Sequence, residues 1–389
     1  MVRRWCTSAA LGAALVSITA CADFDPAPGA AYATPSMHVP RIALPLPTGV
    51  HRVGRLAFRW TDEARRRTLP VWIYYPAAVR DSTLEPVLNN VAWRSIHLDE
   101  LSARLGPAAA QSLSGLNTSA TTNAIIEPAI VHWPVLLFAP GRGALPTDYS
   151  AIIEEIASRG FVVVAFAPPG DGAAVLDPDG TLEAPGEPSV DRLAADFSFV
   201  HHELLLLNRD RTWNFAGQLD LAHVAVSGHG SGGSAALLAA VHDTALVAAV
   251  SLDGDFPAAV ERGGIRQPFL YLSAEPPGLD SLPAAEWARA DRAERRRQEF
   301  WDDASSGSID ALHARVAGMY DGNIPDAGLL PAYAVPVMHH QTRVGSINPR
   351  RAFVLTGTIV AQFVTDAITR SRRGAEAITA EFPEVVLER

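Results

Sequence analysis

A glycine-rich turn stands where an apolar stretch of the sequence gives way to a helix-forming one. Residues 224–226 (Val-Ala-Val) have the composition of a short buried strand, residues 228–233 read Gly-His-Gly-Ser-Gly-Gly, and a helix is expected over residues 234–240. Such a turn exposes its middle residue at the end of the strand, and the N–H groups of the following helix then stabilise a developing oxyanion. The spacing predicts a nucleophile elbow whose middle position is Gly230, a residue without a side chain.

The sequence around this turn resembles the nucleophile elbow of the platelet-activating-factor acetylhydrolases and their bacterial relatives. Their pattern, D-L-x-x-h-x-h-x-G-H-S-h-G-G with h for an apolar residue, matches residues 220–233 without a gap and puts the family's serine at Gly230 and the next apolar residue at Ser231. Further resemblances in family order lie at residues 44–54, 72–76, 137–150, 157–163 and 251–253. Their order and spacing imply an α/β-hydrolase fold and a family of ester hydrolases.

The resemblance also assigns the other catalytic positions. The acid falls on Asp253, and the oxyanion donors are the backbone N–H groups of Arg142 and Ser231. The family's histidine, in a G-x-x-H-x-x-F-x-D stretch, falls on Asp321 within residues 318–326. Because acyl transfer needs an oxygen nucleophile and a base that takes its proton, the loss of both groups predicts severely impaired hydrolysis.

Other serines near the turn are candidates for the nucleophile. Ser231 is the first of them, but a shift of one residue turns its side chain by about 100° around the helix, away from the family's line of attack. Ser227 lies in the expected strand, and Ser234 lies in the expected first helical turn. All three are also common turn or helix-cap residues, and that interpretation is favoured.

Other histidines are candidates for the base. His313 precedes the expected last strand, and His339 and His340 follow Pro336. These three are interpreted as surface or loop histidines. His229 keeps the position before the nucleophile, where the residue of the family supports the turn.

Asp253 has two interpretations. It is either the triad acid, which is favoured, or a turn former beside Gly254, with Asp255 as the competing acid. Asp321 could lie close to Asp253, in which case one carboxyl pKa would rise and the pair could hold a cation. No second set of ligands appears in the sequence, so neither a metal nor a cofactor is expected.

Alternating elements would position these residues. The expected elements are strands at residues 71–75, 135–138, 161–167, 224–226, 246–252, 269–273 and 314–317, and helices at 149–158, 190–207, 234–240 and 352–369. Continuous apolar strands between helices of this length predict a mostly parallel central sheet with helices on both faces.

Composition limits the class of protein. The chain has 389 residues, of which 48% are hydrophobic, and a net charge of −10. These values fit one large α/β domain and exclude a disordered chain. No basic stripe appears, so no nucleic-acid partner is expected. The domain is expected at residues 41–389, with insertions at 77–130, over one end of the sheet, and at 276–302, a charged helical excursion on the surface.

The start of the chain differs from the rest. Two arginines precede a short apolar run, and residues 18–21 (Ile-Thr-Ala-Cys) resemble the lipobox of bacterial lipoproteins. This resemblance implies a signal peptide over residues 1–21 and a lipidated Cys21 that anchors the protein at an extracytoplasmic membrane face. An ordinary secretory leader is the alternative. Residues 22–40 are rich in proline and alanine and are interpreted as a tether.

Three functional hypotheses follow. The leading one is a membrane-anchored, catalytically impaired relative that binds a lipid-like or small ester ligand. The second is an active carboxylesterase that uses Ser231 and a non-standard base. The third is a structural or interaction protein without chemistry at the elbow.

Overall fold

A mixed sheet forms the centre of the computed structural model, which describes residues 39–79, 84–128, 132–213, 215–274, 284–334, 344–371 and 373–388. Within these residues, ten strands form one sheet and four short strands form two separate pairs. The strands are β1 (Val53–Asp62), β2 (Arg67–Pro76), β3 (Glu85–Pro86), β4 (Asn117–Thr118), β5 (Thr121–Thr122), β6 (Trp133–Ala139), β7 (Val162–Phe166), β8 (Val175–Leu176), β9 (Leu182–Glu183), β10 (Leu219–His229), β11 (Ala248–Leu252), β12 (Phe269–Ser273), β13 (Ala311–Val316) and β14 (Val385–Glu388).

The large sheet has the order β14-β13-β12-β11-β10-β6-β7-β2-β1-β5. Neighbouring strands from β13 to β7 in this order are parallel, whereas β14 is antiparallel to β13 and β2 is antiparallel to both β7 and β1. Because the six parallel strands are consecutive in this order, their carboxyl ends meet at one edge of the sheet, where α/β proteins place their sites.

Helices cover both faces of the sheet, as the sequence predicts. The helices are α1 (Val91–Leu105), α2 (Pro107–Ser114), α3 (Ser150–Ser158), α4 (Val190–Arg209), α5 (Ser231–His242), α6 (Ala258–Gly263), α7 (Ala284–Ser306), α8 (Pro349–Thr369) and α9 (Arg373–Glu381). One face packs against α3, α8 and α9, and the other against α4, α5, α6 and α7. In β6, Leu136 faces the first layer and Leu137 the second, and both are fully buried, which explains the continuous apolar run.

Most of the expected elements are confirmed, with shifted boundaries. β12 covers its predicted range, but β10 is much longer than residues 224–226, since backbone pairing with β6 and β11 extends it through polar residues and glycine on both sides of that apolar run. The prediction for α5 is wrong at its start. The helix begins at Ser231 rather than Ser234, because the glycines at 232 and 233 lie in the helix and not in the turn.

The region over residues 77–130 is built on its own small core. Leu101 and Leu105 of α1 pack with Leu113 of α2 in a cluster separate from the two sheet layers. Arg55 of β1, 2% exposed, donates to the carbonyl oxygens of Val87 and other backbone and side-chain acceptors in this region. β5 also pairs with β1. The region is therefore attached to the edge of the sheet that β1 forms.

The region over residues 276–302 is less of a surface excursion than the sequence indicates. Residues 275–283 lie outside the described residues, and α7 follows them. Trp301 and Ala304 of α7 are buried against the sheet, so one side of this charged helix belongs to the core.

A single helix of the described residues, α8, is long and apolar enough to cross a membrane by composition. It packs against α3, and 61% of its most apolar window is buried inside the protein. Its apolar character therefore belongs to a core helix.

Candidate active site

Backbone atoms are packed closely together at the turn between β10 and α5. His229 ends the strand, Ser231 begins the helix, and Gly230 between them has φ 52° and ψ −119°. A Cβ on Gly228 would lie 2.7 Å from the carbonyl oxygen of Ala139, closer than real side chains approach. The close approach of strand and helix therefore requires glycine here, which gives the sequence pattern its physical cause.

The apex of the turn is open. Among the described residues other than its two chain neighbours, a Cβ on Gly230 would meet only the Cα of Gly141, at 3.9 Å, an ordinary van der Waals distance. The N–H groups of Arg142 and Ser231, the two expected oxyanion donors, donate to no other residue in the described parts of the chain. The apex therefore combines free space with backbone donors and has no nucleophilic side chain of its own.

Tyr149 fixes the loop after β6 to the elbow. The N–H of Gly141 donates to Tyr149 Oη at 3.0 Å, and this oxygen lies 2.9 Å from His229 Nδ1. The hydroxyl accepts from Gly141 and also shares a hydrogen bond with Nδ1, whose donor depends on the tautomer of the ring. Desolvation lowers the pKa of His229 to about 4, so the ring is neutral at pH 7. This contact makes His229 a support of the turn.

Asp253 lies directly after β11, the strand next to the elbow strand. Its N–H donates to Leu272 O at 2.8 Å, and its Oδ1 accepts from the N–H of Ala274 at 3.0 Å. Its φ of 52° is left-handed, a conformation that Asp tolerates better than most residues. Arg297 of α7 places Nη1 4.0 Å from the same Oδ1. The carboxylate at the acid position thus faces a guanidinium, whereas Asp255 is exposed.

Asp321 begins a short 3-10 helix, Asp321–Asn323, in the loop after β13. Burial raises the pKa of Tyr149 above its ordinary value, and the charges of Asp148 and Asp321 add to this. Asp321 is therefore an electrostatic neighbour of the tyrosine that bonds the elbow. Among the described residues, no group of three or more His, Cys, Asp or Glu side chains is placed to hold a metal ion.

Buried polar side chains hold the rest of the 318–326 stretch. Asn323 Oδ1 accepts from the N–H groups of Tyr320 at 2.9 Å and Gly345 at 2.7 Å. Asp326, 2% exposed, accepts from the first two N–H groups of α3, and burial raises its pKa well above the usual range. These bonds attach the loop that carries Asp321 to the helix that follows the oxyanion loop.

The three candidate serines differ in their surroundings. The Oγ atoms of Ser231 and Ser227 are inaccessible to solvent and have no hydrogen-bond partner in the described structure. Ser234 Oγ donates to Gly230 O at 3.2 Å, the bond to the carbonyl four residues back that a serine inside a helix makes. None of the three bonds a histidine of the described residues, so the geometry supplies no base for a serine at the elbow.

The expectation for His313 is wrong. It lies inside β13, is 5% exposed and accepts from, or donates to, Ser273 Oγ at 2.7 Å through Nε2, because β13 begins earlier than the apolar pattern indicates. Its Nδ1 lies 3.4 Å from Glu388 Oε2, and burial lowers its pKa to about 4. One weak signal of a strand at this position was present, since His313 stands between the apolar residues Leu312 and Ala314. His339 and His340 lie outside the described residues, as does Cys21.

His97, which the sequence analysis does not single out, attaches α1 to the oxyanion loop. His97 lies between Asp148 Oδ1, 2.8 Å from Nε2, and Glu100 Oε2, 3.2 Å from Nδ1. Burial by itself would lower the pKa of His97, but the two carboxylates raise it to about 9. Asp148 also accepts from the N–H of Leu145, and Glu100 from that of Ala174. One buried imidazolium therefore joins three segments around the site.

Comparison with known proteins agrees with this geometry. Residues 37–175 match the family described as platelet-activating factor acetylhydrolase, isoform II. A probable 1-alkyl-2-acetylglycerophosphocholine esterase from Arthroderma benhamiae is 31% identical over 152 residues, 36% of this chain and 36% of the relative.

This chain resembles the platelet-activating-factor acetylhydrolases. The matched part of the fungal relative is about a third of its length (36%). The family match includes the oxyanion loop and Tyr149 and ends before the elbow, so it does not extend to Gly230 or the acid position.

The fold of this acetylhydrolase-like chain is similar to that of a ferulic acid esterase from Streptomyces cinnamoneus. The TM-score is 0.66 at 22% identity, over 90% of this chain and 100% of the esterase. A structural similarity at this level of sequence identity shows the fold alone. It confirms the predicted α/β-hydrolase fold.

Proposed function

We propose that this acetylhydrolase-like protein binds a lipid-like or small ester ligand over the elbow and hydrolyses it poorly or not at all. One observation carries the proposal. At the apex of an otherwise well-formed elbow, Gly230 leaves free space beside two unpaired backbone donors, and within the described residues other than its two chain neighbours no side-chain atom lies within 4 Å of the place that a Cβ on Gly230 would take. Binding needs the donors and the space, whereas acyl transfer also needs a nucleophile and a base.

The ligand's carbonyl oxygen would accept from the N–H groups of Arg142 and Ser231, and its carbonyl carbon would lie above Gly230. In a working esterase the same donors strengthen as the carbonyl becomes an oxyanion. Here no covalent bond forms at the carbon, so the donors hold the ground state of the ester. The proposed outcome is a bound, intact ester.

An active esterase based on Ser231 is the second candidate, because its Oγ lies next to the apex and has no partner in the described structure. Activity would require that this buried oxygen becomes accessible and gains a base. If no ligand binds, the third hypothesis is favoured, that of a structural or interaction protein without chemistry at the elbow.

Two measurements separate these functions. The first is labelling with a fluorophosphonate probe, followed by peptide mapping, in the wild type and in Ser231→Ala and Ser273→Ala variants. We expect no labelled serine, and labelling that is lost only in Ser231→Ala would overturn the proposal in favour of the second candidate. The Ser273→Ala variant is the matched control, because Ser273 carries the hydrogen-bonded histidine that the elbow serines do not have.

The second measurement is the thermal shift of the wild type with methyl octanoate. A ligand that binds only the folded protein raises Tm in a concentration-dependent way. A rise in Tm without release of octanoate supports the proposal. The absence of any shift with esters of several chain lengths would contradict it.

We also propose that lipidation of Cys21 anchors the protein at the outside of a bacterial membrane, on the strength of the lipobox-like residues 18–21. Cys21→Ala should move the protein into the soluble fraction and abolish incorporation of labelled palmitate. Cys6→Ala, which changes the other cysteine, is the control and should leave both unchanged. Equal membrane fractions for the wild type and Cys21→Ala would refute the anchor.

A further inference from the structure

The guanidinium of Arg104 lies over the oxyanion loop. Arg104 comes from the last turn of α1, and a Cβ placed on Gly143 would lie 3.3 Å from its Nη1. Gly143 follows Arg142, whose N–H is one of the two donors at the apex. A fixed positive charge therefore lies against the backbone that would hold the ligand's carbonyl oxygen.

Within the residues that the structure describes, this charge is not neutralised by a contact. The guanidinium of Arg104 forms no hydrogen bond and no ion pair within 4.0 Å with any of them. The carboxylate that senses its charge, Asp148, is already bonded to His97 and to the N–H of Leu145. The loop has a guanidinium of its own, that of Arg142, and its Nη2 donates to Glu187 Oε1 at 2.6 Å. Of these two guanidinium groups, that of Arg104 is therefore the one that has no partner in the described structure and can contact a ligand.

The charge at the acid position does not cancel it. Asp253 lies on the sheet side of the site, where Arg297 Nη1 is 4.0 Å away and the N–H of Ala274 donates to Oδ1. Asp148 and Asp321 raise the pKa of Tyr149, whereas Arg104 lowers it, so the positive charge of Arg104 opposes these two carboxylates at that hydroxyl.

The free space at Gly230 also favours a group with two equivalent oxygens. An ester presents one carbonyl oxygen to the donors and a bulkier alkoxy group to the apex. A carboxylate presents one oxygen to the donors and a second, unsubstituted oxygen to the space that a serine hydroxyl would otherwise fill. Charge-assisted hydrogen bonds from N–H groups and a guanidinium are stronger than those to a neutral carbonyl.

We propose that the site prefers a carboxylate, the anion of a free carboxylic acid, to a neutral ester, and that Arg104 is the residue that selects the charge. This inference rests on the proposed function, because it needs a ligand at the elbow. It adds the chemical class of the ligand and assigns the specificity to a residue of α1 that lies outside the triad positions.

Isothermal titration of the full chain with sodium octanoate, octanamide and methyl octanoate tests the inference. Octanamide has the shape of octanoate without its charge. We expect octanoate to bind about tenfold more tightly than octanamide, the size of one charge-assisted hydrogen bond. Arg104→Gln should remove this preference, and Arg104→Lys should keep part of it. Arg94→Gln, on the same helix, is the control, since Arg94 donates to Leu88 O away from the loop.

The outcomes separate the two proposals. Equal affinity for octanoate and octanamide, or a preference that survives Arg104→Gln, overturns the carboxylate inference and leaves the proposed function standing if methyl octanoate binds. Failure of all three ligands to bind overturns both. Circular dichroism of each variant shows that a lost preference comes from a folded protein.

Discussion

The elbow and the 318–326 loop reach the same edge of the sheet but are held by different forces. At the elbow, backbone packs on backbone, and a Cβ on Gly232 would lie 2.6 Å from Pro140 O and closer still to Ala139 O. In the 318–326 loop, buried polar side chains such as Asn323 and Asp326 accept backbone hydrogen bonds. In both regions, the position that carries chemistry in the family, Gly230 or Asp321, lies beside these constraints and not within them.

The difference teaches that the scaffold and the chemistry of this site are separable. A Cβ at Gly230 has space, and Asp321 is the first residue of its short helix, whose hydrogen bond to Ile324 is made by the backbone of Asp321. Substitutions at these two positions therefore change reactivity with little change in folding. Substitutions at the neighbouring glycines do the reverse.

The largest expected effect comes from restoring both chemical groups. The double variant Gly230→Ser with Asp321→His should hydrolyse p-nitrophenyl acetate about 1000-fold faster than either single variant, since nucleophile and base act as a unit. The measurement is kcat/KM for the wild type, the two single variants and the double variant. A wild type that is already fast and is inactivated by Ser231→Ala would show that Ser231 is the nucleophile.

A double variant that folds but stays inactive would contradict the idea that the chemistry of this site can be restored at two positions. It would show that the surroundings of Asp253 have also diverged. Arg297 is the first residue to test in that case, because it faces the acid where a working triad has an imidazole.

A smaller but clear effect is expected on stability. Gly232→Ala should lower the free energy of unfolding by about 3 kcal/mol, because the added methyl group overlaps the carbonyl oxygens of β6 and its following loop. Gly230→Ala, the matched control, should cost about 1 kcal/mol, the strain of a left-handed φ of 52°. Urea unfolding measures both, and equal losses would contradict the separation of scaffold from chemistry.

The contacts of His97 with Asp148 and Glu100 should make the free energy of unfolding depend on pH. Its pKa in the folded protein, about 9, is above the ordinary value of 6.5. The imidazolium therefore stabilises the fold fully below pH 6.5, and this contribution is lost as the pH rises towards 9. We expect a loss of about 3 kcal/mol over that interval in the wild type. His97→Gln should flatten this part of the curve, and a curve that keeps its slope in this variant would contradict the assignment to His97.

The smallest effect is expected at the side chain of Arg142. Its guanidinium is 57% exposed and pairs with Glu187, which is 81% exposed. Arg142→Gln should change the free energy of unfolding by less than about 0.5 kcal/mol, the usual value of such pairs. A larger loss in thermal or urea unfolding would mean that the side chain, and not only the backbone, shapes the oxyanion loop.

The sequence was sufficient for the fold and for the place of the elbow. Buried parallel strands such as β6 and β12 have continuous apolar residues, and the glycines around Gly230 are required by close backbone contacts, so both leave a signal in residue types. The start of α5 was misplaced because helical glycines at 232 and 233 have the same appearance as turn glycines.

The contacts between distant segments could not be predicted. His97 meets Asp148 and Arg104 meets Gly143 only because α1 folds back over the sheet edge, and no local pattern marks such pairs. The apolar pattern of β13 predicts a surface or loop position for His313 because a polar residue interrupts it, although Ser273 Oγ forms a hydrogen bond with Nε2 of the buried ring. Buried polar pairs of this kind are invisible to hydrophobic periodicity.

The two residues of β5 have a consequence for solubility. They pair with Gly54 and Arg55 and so cover the start of β1, which would otherwise be an unprotected edge strand. An exposed edge presents unpaired N–H and C=O groups to the strands of other molecules and favours aggregation. The region over residues 77–130, which supplies both β5 and Arg104, therefore also protects the sheet from intermolecular pairing, and this role would persist in a relative that had lost every ligand.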